Sequence, residues 1–205
     1  MEDRFAQALE LVPHVSLDRV HDGRPSPLLA GGGIQLGELL ALAELPQVDG
    51  LPPPRRGIHG LRHLRMVAVL AVRLALAEGW DASRREHRAD LWCLWVAGCL
   101  HDLGRRHDGI DWGHAGRGAK IAEAYLERCA VDEDAAALVV RLILNHGKGD
   151  ESRFERIDRV FKDADGLDRH RLSPWDLDES RLRTATARSW SREIWSLYWK
   201  RGREH

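Results

Sequence analysis

From residue 58 onward, apolar residues recur at spacings of three and four, and alternating β-branched stretches are missing. That period fits the 3.6-residue turn of a helix and not the two-residue repeat of a strand, so the chain is expected to be all-α. Ala, Leu, Arg and Glu, all good helix formers, carry the pattern. Breakers cut it into five pieces. The first covers about 58–78 and stops at Gly79, and the second covers about 83–100 and stops at His101, Asp102 and Gly104. The third and fourth, about 115–129 and 132–146, meet at Val131 and Asp132, where Asp132 is a natural N-cap, and they should lie antiparallel. The fifth, about 153–164, puts Phe154, Ile157, Val160 and Phe161 on one stripe and ends in Asp163-Ala164-Asp165-Gly166. A tail over about 176–201 adds one or two helices, with Trp190, Ile194 and Leu197 sharing a face that suits packing onto the bundle. The alternative use of this tail, a stacking surface of Trp190, Trp195 and Trp199 among basic residues, is the weaker reading.

Residues 1–57 differ from the rest. They hold a short amphipathic start (Phe5, Leu9, Val12), a loop with Pro25, Pro27 and three glycines at 31–33, a helical piece at 34–45, and the breaker Pro52-Pro53-Pro54. They read as a variable N-terminal extension packed on a main domain of residues 58–205. A chain of 205 residues is long enough to bury a full core without staples.

Charge excludes some partners. With 31 basic and 32 acidic residues and a net charge of −1, no global field draws the chain to nucleic acid or to an anionic membrane. Cys93, Cys99 and Cys129 form no CxxC pair, which suits reduced thiols and a cytoplasmic setting. The longest apolar run, 91–100, is too short to span a bilayer, and the N-terminus has no signal-like pattern.

The chemistry gathers at the ends of these helices. His101 and Asp102 are adjacent metal-competent side chains at the end of an apolar run, about 100° apart around the helix axis, so a short end loop can aim both at one cation. His59 and His63, four residues apart, open the first helix. His114 starts the third, His146 ends the fourth, and Asp165 closes the fifth. Imidazoles and carboxylates together suit Mn, Fe, Co, Ni or Zn rather than calcium, and a shared carboxylate would allow two ions.

The order His, His-Asp, Asp resembles the HD superfamily of metal-dependent phosphohydrolases. The matching segments are His59-Gly60-Leu61-Arg62-His63, then His101-Asp102-Leu103-Gly104-Arg105, then Asp163-Ala164-Asp165-Gly166-Leu167-Asp168, covering roughly residues 58–172. The resemblance implies an HD-domain helical bundle of about five core helices. It also implies one divalent ion on His63, His101, Asp102 and Asp165, with His59 beside these ligands. His114 and His146 fall where relatives with two metals hold the second ion. Met66 stands where the family usually has an Arg. Asp163 and Asp168 are read as hydrogen-bonding residues rather than ligands.

The expected activity is hydrolysis of a phosphomonoester, phosphoanhydride or phosphodiester of a nucleotide or other small phosphorylated compound, with His101 and Asp102 at the reacting centre. Arg105 and Arg106 after the doublet, Lys148, Lys162 and Arg169 are candidate phosphate clamps, and His107, Asp108 or Asp111 candidate proton donors. Two other readings keep the fold: a di-iron oxygenase using His114 and His146 with Asp102, and a non-catalytic nucleotide-sensing or partner-binding domain. The intact ligand set argues against the last.

Overall fold

The computed structural model describes residues 57–149 and 153–199, so the extension expected over 1–57, including its helical piece at 34–45, lies outside the described residues but for Gly57. The described residues are all helical: α1 Leu61–Ala77, α2 Arg85–Leu100, α3 His114–Arg128, α4 Glu133–His146, α5 Arg156–Asp168 and α6 Ala185–Trp199, with single 3-10 turns at Arg169–Arg171 and Glu179–Arg181.

α1 is the axis of the bundle. Apolar side chains all around its middle turns, from Met66 to Val72, are fully buried, as expected of a helix covered on every side. It packs against α2 and α5, while α3 and α4 pair beside α2. The α1–α2 crossing is close because Gly98 has no side chain: a Cβ there would sit 2.5 Å from the Ala68 Cα. Met66, at the position where the family has Arg, is wholly buried in this core. α6 lays Ile194, with Trp190 and Leu197, onto the core, which is the packing arrangement expected for the tail. Its indoles also have backbone partners, Trp195 Nε1 donating to Pro174 O at 3.3 Å and Trp199 Nε1 to His170 O at 2.8 Å.

Local chemistry sets the helix ends. α1 stops at Gly79, whose φ of 98° is the left-handed conformation glycine adopts freely, and Trp80 N donates back to Ala75 O. Asp132 caps α4 as expected, its side chain accepting from Asp134 N and Ala135 N. α3 ends less comfortably, with Ala130 at φ 51° in the same left-handed region.

Three boundaries differ from the sequence-based expectation. α5 starts later, at Arg156, because Glu155 N donates to Asp158 Oδ2 and fixes the entry there. It also runs on through Gly166 to Asp168: burial of Leu167 and Asp168 outweighs the roughly 1 kcal/mol that a glycine costs a helix. His59 lies in the turn before α1 rather than within the helix, since Gly60 N donates to Gly57 O and Gly60 itself is extended.

Candidate metal centre

All five core helices deliver the expected side chains to one place. Asp102, buried at the end of α2, is the centre, and its two oxygens face different partners. On the Oδ2 side are His63 Nε2 at 3.4 Å and His101 Nε2 at 3.8 Å, and Asp165 Oδ1 lies 3.5 Å from His63 Nε2 and 3.9 Å from His101 Nε2. On the Oδ1 side are His114 Nε2 at 3.6 Å and His146 Nε2 at 3.7 Å. The α3–α4 hairpin supplies both of these, because antiparallel helices return the end of α4 to the start of α3. Gly118 lets α3 approach, as a Cβ there would meet the His101 carbonyl oxygen at 2.6 Å.

The imidazoles are oriented by what their other nitrogens do. His63 Nδ1 donates to Asp168 Oδ2 at 2.7 Å, His101 Nδ1 to Gly98 O at 2.8 Å, His114 Nδ1 to Asp111 O at 2.5 Å and His146 Nδ1 to Ile143 O at 2.5 Å. Each ring therefore turns its Nε2 inward. Nε2 of His63 and His101 approach to 3.1 Å, and Nε2 of His114 and His146 to 3.0 Å. Facing lone pairs at that distance repel unless a positive centre, a proton or a metal ion, joins them. Metal–nitrogen bonds of about 2.1 Å meeting at right angles put neighbouring donor atoms about 3 Å apart, the spacing seen in both pairs. In addition, Asp102 Oδ1 is buried with no hydrogen-bond donor. A carboxylate oxygen without a donor, facing two imidazole nitrogens, has the chemistry of a metal ligand. The sets His63, His101, Asp165 and His101, Asp102, His146 each converge closely enough to hold an ion, as does the set His59, His63, Asp102.

Electrostatics agree. Burial opposes charge on Asp102, but the surrounding imidazoles hold its carboxyl far below the usual carboxylate range. Burial likewise works against a charged His63, yet the carboxylates Asp102 and Asp168 prevail and raise it to about 9. Burial lowers His101 to about 3 and lowers His114 as well.

HD domain is the family whose model matches this chain, over residues 60–170, more than half its length. The chain belongs to the HD-domain family. It is thereby a member of a superfamily of metal-dependent phosphohydrolases, as the ordered motifs led one to expect. Comparison with curated proteins and with solved structures finds no match.

Not every expected site residue joins the cluster in the expected way. His59 Nδ1 lies 2.8 Å from Asp102 Oδ2, and Arg105 Nε donates to the same oxygen at 2.8 Å, so Arg105 sits at the centre. Arg106 is exposed, and its backbone N–H donates to Asp111 Oδ2 at 3.0 Å. Lys162 is a correction: its buried ammonium donates to the carbonyls of Asn145, His146 and Lys148, closing the C-terminal end of α4 instead of reaching for substrate. A helix end leaves carbonyls without partners, and a buried lysine is drawn to them. Arg169 pairs with Asp176 at 2.6 Å, and Lys148 Nζ donates to Asn145 Oδ1 at 3.3 Å. Asp111 accepts from Arg117 and so braces the loop over 105–113, which leaves Ile110 and Trp112 exposed, Trp112 at 91%.

Sequence reasoning did not single out Arg117, Arg171 or Tyr198. Arg117 carries one signal, being three residues after His114 on the same helix face. Arg171 ties the 57–60 turn to α5 by donating to Ile58 O at 2.8 Å, a contact across 113 positions that no local pattern announces. Asp163 and Asp168 act as hydrogen-bonding residues: Asp163 accepts from the backbone of Arg183 and Thr184 just before α6.

Proposed function

We propose that this chain is a phosphohydrolase that uses two divalent transition-metal ions, with Asp102 belonging to the residues that would hold each of them, acting on a nucleotide or another small phosphorylated compound. One observation carries it: two pairs of facing Nε2 atoms, 3.1 and 3.0 Å apart, lie across the two oxygens of one buried carboxylate, one of which has no donor. In this reading His63, His101, Asp102 and Asp165 hold one ion, and Asp102, His114 and His146 the other. Ions held there would supply an activated water and a Lewis acid for a phosphoryl oxygen. The chain's own contribution is a largely buried, rigid ligand set and a cation, Arg105, hydrogen-bonded to Asp102 and placed to meet phosphate oxygens. Trp112, exposed two residues before His114, suits a planar base by stacking, which favours a nucleotide over a bare phosphoester.

The test is metal analysis together with phosphate release from mono-, di- and triphosphates and from linear and cyclic phosphodiesters. Wild type should bind two ions and hydrolyse at least one class, and His101→Ala/Asp102→Ala should lose both properties. Full metal occupancy in that double variant, or no turnover anywhere on the panel by metal-loaded wild type, would overturn the reading.

The same two-ion geometry supports a second reading, a di-iron oxygenase on this scaffold. Iron content measured alongside oxygen uptake separates the two, and a single bound ion excludes the oxygenase.

A further inference from the structure

Residues 171–199 lie beyond the matched segment 60–170, yet two of their side chains end on the carboxylate that orients His63. Asp168, wholly buried at the end of α5, is the hub. Its Oδ2 accepts from His63 Nδ1 at 2.7 Å and forms an ion pair with Arg171 Nη1 at 3.0 Å, while Nη1 itself donates to the Asp168 carbonyl, and its Oδ1 accepts from the Tyr198 hydroxyl. Tyr198 comes from the last turns of α6, which also fasten back onto the same region through Trp199 Nε1 and His170 O. Arg62, one residue before His63, lies over the Tyr198 ring at 5.8 Å from its centroid. The phenol is largely buried and its pKa is pushed up by burial and by Asp168, so it remains a donor.

We infer that Tyr198 is a positioning residue for the Oδ2-side metal site, acting through Asp168 and His63, so that α6 is part of the metal-binding apparatus and not merely packing. The inference rests on the reading of this centre as a metal site. With its hydroxyl removed, Oδ1 of a fully buried carboxylate loses its donor, and the carboxylate is no longer held on both edges. Asp168 then has freedom to rotate, and the ring of His63 follows it. Groups hydrogen-bonded to a metal ligand, as Asp168 is to His63, commonly change metal affinity by about 10–100-fold, and Tyr198 acts one hydrogen bond further out.

Co(II) titration of the full-length protein, followed by its visible absorption bands and by bound stoichiometry, tests this on wild type, Tyr198→Phe and Asp168→Asn. Tyr198→Phe keeps the ring and its stacking, so the fold should persist, checked by thermal melting of chelator-treated protein. The expected result is about tenfold weaker binding of the tighter ion in Tyr198→Phe, a larger loss in Asp168→Asn, and altered absorption bands in both. Tyr198→Phe that binds Co(II) with unchanged affinity and spectrum while only its melting temperature falls would show a purely structural tyrosine and overturn the inference. Wild type that binds no Co(II) would overturn the metal reading itself, and the inference with it.

Discussion

The two sides of Asp102 are built differently. On the Oδ2 side, His63 in the first turn of α1 and His101 just past the end of α2 are almost wholly buried, and His63 is oriented by a carboxylate that also accepts from the Tyr198 hydroxyl and pairs with Arg171. On the Oδ1 side, His114 and His146 sit at the first and last residues of their helices and are oriented only by backbone carbonyls within their own chain turns. In the first set His101 is oriented by the carbonyl of Gly98 in its own helix, but His63 is held by a carboxylate 105 positions away, whereas the second set is held by one hairpin alone. The difference teaches that the Oδ2 side should hold its ion tightly and the Oδ1 side should exchange more readily.

Asp102 is the point at which this contrast collapses, so its loss should have the largest effect. Asp102→Ala removes a ligand from both sides and leaves five imidazoles, those of His59, His63, His101, His114 and His146, without the carboxylate they share. Both ions should be lost from protein dialysed against low metal, and hydrolysis should fall by at least about a thousandfold. Metal content by mass spectrometry of the purified variant checks it, and two retained ions would contradict the shared-carboxylate arrangement.

Asp165→Ala and His114→Ala separate the sides. His114→Ala should leave one tightly bound ion per chain, whereas Asp165→Ala should weaken the tighter ion by about 10–100-fold. Equal losses in the two variants would mean that the sides are equivalent and that burial and carboxylate anchoring contribute nothing extra.

Acidity should distinguish them further. His63 is raised to about 9 by Asp102 and Asp168 against the effect of burial, so near neutral pH a proton competes with the ion for its Nε2. Affinity on the Oδ2 side should therefore rise as pH increases, by about tenfold per unit for one displaced proton, and level off above about pH 9. His114 is lowered from its ordinary value by burial, so it carries no proton to displace near neutrality and should impose no such slope on the Oδ1 side. Titrations with Co(II) from pH 6.5 to 9.5 in the Asp165→Ala and His114→Ala backgrounds measure each slope alone.

Much of this was legible in the sequence, and the legible part is local. Period and breakers located the helices, and Asp132 announced the start of α4. The order of His63, His101-Asp102 and Asp165 announced the cluster. What escaped was tertiary. Lys162 reads as a phosphate clamp because it lies beside the last motif, but helix geometry turns it toward the carbonyls closing α4. Tyr198 and Arg171 reach Asp168 and Ile58 from across the fold, and a tyrosine among tryptophans in an amphipathic tail gives no sign of which carboxylate it will meet. Asp-Ala-Asp-Gly looks like a stop and suggests an early end to α5, whereas buried Leu167 and Asp168 carry the helix onward.

The smallest expected effect lies in the hairpin that carries the Oδ1 side. Ala130 takes φ 51° where α3 ends, with Val131 N donating back to Leu126 O. A left-handed residue with a Cβ costs roughly 1–2 kcal/mol relative to glycine, partly offset by the greater freedom glycine has when unfolded. Ala130→Gly should therefore stabilise the protein by about 0.5–1 kcal/mol, read from denaturant midpoints at an unchanged slope. If the Oδ1-side ion exchanges readily because its two helices are imperfectly held, its affinity should also increase slightly in this variant while the Oδ2 side stays unchanged. An equal change on both sides would show instead that the α3–α4 hairpin and the α1–α2–α5 core respond as one unit, and that the two halves of the centre share a single rigidity.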